Sequence, residues 1–150
     1  MTEDLPDFDH FTHDDAWSMG SALVERCRAE GLTVVISIRI GEQRVFHAAL
    51  PGTSADNDHW VERKIRVVQR FDRSTLDVFE RYYQAVPDFH AAFGLSRAEY
   101  APGEGGAPIR VHGTQVGVLA VSGLEGGGDH EVVLSGLRDA AAAQRKRPTS

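Results

Sequence analysis

Stretches of helical and strand-like apolar spacing alternate along this chain. Ala16, Trp17, Gly20, Leu23, Val24 and Cys27 fall on one arc of a helix. That helix opens after Thr12, which with Asp15 three residues later has the form of a capping box, and Gly31 stops it. Thr33 to Ile40 is rich in β-branched residues, Gly41-Glu42 reads as a tight turn, and Gln43 to Ala49 returns, which together predict a hairpin. Pro51-Gly52 breaks the strand, and Ser54 or Asp56 is placed to cap a second helix running to about Phe71. Ser74 to Ala85 predicts a third helix ended by Pro87, and the following stretch through Gly94, Pro102, Gly103, Gly105, Gly106 and Pro108 predicts a long loop.

A second hairpin is expected about Gly113, from Ile109 to His112 and from Gln115 to Ser122. Its returning strand is apolar on both faces, as in a central strand covered on both sides. The Gly126–Gly128 run leads into a last helix from Asp129 to about Gln144. Connections this short between neighbouring strands require antiparallel pairing, which excludes a doubly wound nucleotide-binding sheet. The predicted class is α/β of the α+β kind, a mainly antiparallel central sheet flanked by helices.

The second helix carries the most chemical information. Trp60, Val61, Ile65, Val67, Val68 and Phe71 cover one arc, and Asp58, His59, Glu62, Arg63, Arg66, Gln69 and Arg70 cover the other. Asn57 and Lys64 break the pattern by falling within the apolar arc, two turns apart. One reading has Lys64 snorkel past Trp60 to water. The other has a desolvated ammonium held by backbone carbonyls or a carboxylate and facing the loop of Gly105 and Gly106. His130 raises a similar question in the first turn of the last helix, in line with Val133, Leu134, Leu137 and Ala141. A helix N-terminus disfavours imidazolium, so a neutral ring bonded locally is the plain reading and a metal or haem ligand the sharper one.

Composition narrows the function. A length of 150 residues suits one domain, expected over 14–144, with a flexible lead over 1–13 and a basic tail over 145–150. The acidic N-terminus lacks a secretory pattern, so a cytoplasmic address is expected. The longest apolar stretches are strand-sized, which argues against a membrane span. A net charge of −6 argues against nucleic-acid binding. Cys27 is the only cysteine, which excludes an intrachain disulfide. Gly103, Gly105 and Gly106 form no complete phosphate loop, and Ser122 lacks the Gly-x that precedes a nucleophile-elbow serine.

Four segments in order resemble the haem-degrading domain superfamily, which includes GlcG-like and extracellular haem-binding proteins. They are Lys64-Ile65 with Val67-Val68 and Phe71 to Ser74, Gly105 to Ile109, Gly117 to Gly123, and Asp129-His130. The Asp56-Asn57-Asp58-x-Trp60 and Asp129-His130 segments are similar to its branch called uncharacterised protein family 0303. The resemblance implies a profilin-like sandwich, assembly into a symmetric homo-oligomer, and haem or iron binding in some members. The expected function is a small-ligand-binding homo-oligomer with Asn57, Lys64, Gly105, Gly106, Pro108 and His130 as the candidate pocket. The alternatives are a non-catalytic interaction or scaffold protein, and an enzyme acting on a small carbonyl or acid through Lys64.

Overall fold

A computed structural model describes residues 4–146. Its centre is a five-stranded sheet formed by β1 (Asp7–Phe8), β2 (Val35–Ile40), β3 (Gln43–Ala49), β4 (Gly106–Val111) and β5 (Thr114–Ser122), in the order β1-β4-β5-β2-β3. Every pairing is antiparallel except the short parallel contact of β1 with β4. The doubly apolar strand is β5, at the middle of the sheet, with Gly117 to Ser122 buried. The hairpin from β4 to β5 turns on His112 and Gly113, both at positive φ of 50° and 81°, the backbone a two-residue turn needs to follow the sheet twist.

Helices cover both faces. On one side α1 (His13–Ala29) and α5 (Gly128–Lys146) pack against Val34, Ile36, Ile38, Ile109, Leu119 and Val121. On the other, α2 (Ala55–Phe71) lays Val61, Ile65 and Val68 on Val35, Val118 and Ala120. Both faces of β2 and β5 are thus removed from water by alternate residues. Thr12 and Asp15 form the capping box that opens α1, and Gly31 at φ 69° follows its end.

Three expectations change. Residues 7–8 of the expected flexible lead form β1, because Phe8 is buried and stacks edge-on against Phe11 at 5.3 Å. The Gln144 side chain pins the same segment through Asp9 N–H at 2.8 Å and the His10 carbonyl at 2.8 Å. The helix expected from Ser74 is a short α3 (Thr75–Val78) followed by a π-helical turn over Phe79–Tyr83. That widened turn accompanies the stacking of Tyr82 on Phe71 at 5.5 Å and of Tyr83 on Phe79 at 5.0 Å. The long loop holds a further helix, α4 (Phe89–Phe93), capped by Asp88 and ended by Gly94 at φ 68°. Its two phenylalanines join Val67 and Val78 in a small third core. Of the basic tail, Arg145 and Lys146 belong to α5, and the remainder lies outside the described residues.

Gly117 shows how closely the central strands approach. A Cβ there would collide with the Arg39 carbonyl oxygen of β2, a backbone atom held by the sheet. Gly117→Ala is therefore expected to lower stability by about 1–3 kcal/mol, read as a lower urea midpoint with an unchanged slope.

Candidate functional site

Four elements meet at one end of the sheet, where α2, the turn after β5, the start of α5 and the 103–106 loop converge on the ammonium of Lys64. Lys64 is 7% exposed. Its Nζ donates to the Val121 carbonyl at 2.8 Å and to Asp129 Oδ2 at 3.1 Å. Asp129, 5% exposed, also accepts from the backbone N–H groups of Leu124 at 2.8 Å and Gly123 at 3.4 Å. The carboxylate therefore ties the turn after β5 to the first turn of α5 while it neutralises a cation from α2. Burial pushes the Lys64 pKa below its ordinary value, and the Asp129 carboxylate and the charge of Glu104 oppose that shift.

The glycine loop fits around this pair because it lacks side chains. Gly105 has φ 108°, and a Cβ on it would collide with the Val121 carbonyl and lie 2.8 Å from Lys64 Nζ. The Gly105 carbonyl accepts from Val121 N–H at 2.7 Å, and Gly106 N–H donates to Thr75 Oγ1 at 3.1 Å. The loop is thus sewn to β5 on one side and to α3 on the other. The desolvated reading of Lys64 holds, and the lysine does face Gly105.

The other expected residues divide. Asn57 is part of the α2 cap, its Oδ1 accepting from Ser54 N–H at 3.0 Å, and its Nδ2 reaches Ser122 Oγ at 3.4 Å. It therefore shares the β5 end with Lys64. Pro108 sits within β4 opposite Val118, buried, where β1 does not reach and no outward N–H is needed. His130 is half-buried, and its Nδ1 is buried with no hydrogen-bond partner, contrary to the locally bonded ring expected for it. The core-facing residue of that turn is its neighbour Asp129. The burial of Lys64 and the engagement of its Nζ by Val121 and Asp129 argue against it as a nucleophile toward a carbonyl substrate.

Two further constellations lie elsewhere. Under α2, His47 Nδ1 is 3.2 Å from Ser37 Oγ and its Nε2 is 3.1 Å from Asp58 Oδ1. The trio has the composition of a nucleophilic triad, but Ser37 is fully buried and no substrate reaches it. Beside it Glu62 pairs with Arg39 and, at 3.0 Å, with Arg44. On the opposite face, α1 and α5 leave a groove of about 320 Å³ with Phe8, Phe11, Met19 and Leu23 among its apolar lining. Asp15 and Gln144 stand in that lining, and the Asp15 carboxylate holds His10 Nδ1 at 2.7 Å. Burial alone would raise the Asp15 pKa, but hydrogen bonds from Thr12 and His10 outweigh it and hold the carboxyl below its ordinary range.

Residues 11–138 match the family model described as haem degrading protein, HbpS-like. The chain belongs to this family. A UPF0303 protein of Streptomyces avermitilis is 43% identical over 129 residues, covering 85% of this chain and 79% of the relative. A UPF0303 protein of Pseudomonas entomophila is 40% identical over 136 residues, covering 90% and 76%. Among solved structures, the Ybr137w protein superposes with a TM-score of 0.84 at 23% identity, covering 93% of this chain and 83% of its own. HbpS follows at 0.69 and 21%, covering 95% and 96%. The complex of PduOC with haem gives 0.67 at 18%, covering 88% and 93%. These likenesses are of fold, and within the HbpS-like family the α/β sandwich with its mostly antiparallel sheet is the shared frame.

The clamp makes a prediction about stability. Lys64→Met keeps the apolar stem but strands a buried carboxylate, and is expected to cost about 3–5 kcal/mol in urea unfolding. Adding Asp129→Asn removes the stranded charge and should recover part of that loss. Between the depressed pKa of folded Lys64 and its ordinary 10.5, the unfolded chain binds more protons at this site. The stability of the native sequence relative to Lys64→Met should therefore rise with pH through that window, and a falling difference would contradict the assignment.

Proposed function

We propose that this chain is a small-ligand-binding homo-oligomer and that haem, or the iron it carries, is its first ligand to test. The observation that supports a binding role is the groove between α1 and α5 together with the histidine beside its polar lining. At about 320 Å³ it falls at the small end of the range for ligand sites. It would take a compact apolar ligand, or one edge of a larger planar one whose remainder meets a second subunit. His10 Nδ1 is occupied by Asp15, which orients the ring and leaves Nε2 for a metal, the arrangement that supports imidazole ligands from behind.

This donor set suits a haem iron, and His10 would hold it, with the apolar lining against the macrocycle. Bound haem would supply redox and ligand-binding chemistry at its iron, while these residues orient it and exclude water. Membership in an HbpS-like family and the fold shared with a protein crystallised with haem support the choice of ligand. His130, with its orphaned Nδ1, is the second candidate donor. The Lys64 cluster, its charges paired internally, serves here as the frame around which ligand-binding surfaces are held. No helix among the described residues is long and apolar enough to cross a membrane. The same reading keeps the chain cytoplasmic and independent of nucleic acid, in line with its net charge of −6.

Titration with haemin, followed by absorption, tests the proposal. Saturable binding with a shifted Soret band is expected, and His10→Ala should weaken it and alter the band position, while His130→Ala should do less. Native mass spectrometry should show an oligomer. A monomer, or a spectrum identical to free haemin throughout the titration, would defeat the reading.

A further inference from the structure

The outer surface of α2 carries charge opposite in sign to that of the whole chain. Residues 63–73 hold five cations and one carboxylate, in a protein of net charge −6. Two of those cations are answered: Lys64 by Asp129 and Arg73 by Asp77. The other three, Arg63, Arg66 and Arg70, recur at i, i+3 and i+7 and so form one row on the side of the helix turned away from Val61, Ile65 and Val68.

Among the described residues no carboxylate pairs with any member of this row. The arginines around it differ, since Arg44 meets Glu62, Arg97 meets Asp88 and Arg110 meets Asp72. Arg63 donates to the Arg97 carbonyl at 2.7 Å and Arg66 to the Glu99 carbonyl at 3.3 Å. A single such bond uses a fraction of a five-donor guanidinium and leaves its charge uncompensated. Arg70 is exposed, with no partner for its side chain among the described residues.

An aromatic stands at the head of the row. Trp60 is 40% exposed, and the Arg63 guanidinium lies over its ring at 4.4 Å. The ring and the Arg97 carbonyl together fix Arg63 in place, which lowers the ordering cost of any contact it makes. Tryptophan and arginine side by side on an open face are the residue types that most often anchor a protein interface.

We infer that this row docks an acidic helix of a partner protein, with carboxylates at the same three- and four-residue spacing and an apolar residue against Trp60. The match is one of charge and of repeat. The row spans about 10 Å from Arg63 to Arg70 at 1.5 Å per residue, which is two turns of a partner helix laid along α2. Its width selects a single line of carboxylates. Glu62, the neighbour of Arg63 on α2, and the exposed Glu99 on the adjoining loop flank the row. They bound it to one residue across, where a nucleic-acid backbone needs a broad basic face.

The test uses the whole chain and a fluorescein-labelled helical peptide of alanine and glutamate with glutamates three and four apart, followed by anisotropy at low salt. Saturable binding is expected, absent for the lysine counterpart of the peptide and weaker as added salt screens the charges. Arg70→Glu should weaken it by roughly tenfold, and Arg70→Gln and Trp60→Ala by smaller factors. Arg28→Glu reverses another exposed arginine, on α1, and should leave the affinity unchanged. Circular dichroism with a thermal melt verifies the fold of each variant. No saturation by the glutamate peptide, equal binding by a folded Arg70→Glu, or the same loss in Arg28→Glu would overturn the proposal. Tighter binding of a single-stranded oligonucleotide, lost in Arg70→Glu, would overturn it in favour of a phosphate partner.

Discussion

One buried ammonium sets the arrangement of half the molecule. Lys64 lies on the face of α2 that packs against the sheet, where a cation without acceptors would cost more than the helix gains from packing. Each acceptor comes from a different place: the Val121 carbonyl from the central strand, and the Asp129 carboxylate from the start of α5. Satisfying the cation therefore fixes α2, β5 and α5 against one another at a single point. Gly105 completes the constraint, because only a residue without Cβ passes between the ammonium and the Val121 peptide. The pair's value is as much in registration as in energy, since it pins one point of α2 to both β5 and α5.

The two faces of the sheet are held by different physics. The face under α1 and α5 is apolar throughout, and packing alone decides it. The face under α2 is apolar only near β5. Toward β2 and β3 it becomes polar, with Ser37, Arg39 and His47 answered by Glu62 and Asp58 from the helix. These polar contacts orient α2 about its own axis while Lys64 fixes its position along the sheet. The face that can yield space to a ligand is the other one, where small side chains such as Ser18, Ala22, Ala140 and Ala143 line the gap between α1 and α5.

The architecture was legible in the sequence because most of it rests on local signals. The α1 capping box, the two hairpins and the apolar arcs of α1 and α2 all appear where spacing places them, and β5 is central as its double-sided apolarity requires. Lys64 was legible for the same reason, as a polar residue on the wrong arc. Its carboxylate was not, because Asp129 is 65 residues away and only the fold brings the two together. His130 drew attention instead, since a helical wheel drawn without its first-turn geometry misassigns which residue turns inward. The short α4 and the π-helical turn were hidden by a glycine- and proline-rich context that outweighs two phenylalanines one turn apart. The groove left no sequence signal at all, being made of what small residues leave empty.

These facts separate scaffold from specificity. A residue whose every polar atom is answered from within has little left to offer a ligand, and Lys64 and Asp129 are near that limit. Proteins at 18–23% identity hold the same fold, so the frame tolerates wide change in its surfaces. What distinguishes one member from another must then lie where interactions remain incomplete. Among the described residues those places include the α1–α5 groove beside His10, the orphaned Nδ1 of His130, and the β3 edge under Trp17. Each lies outside the set of contacts that holds the clamp closed, so these surfaces can change without loosening the interaction on which the fold turns.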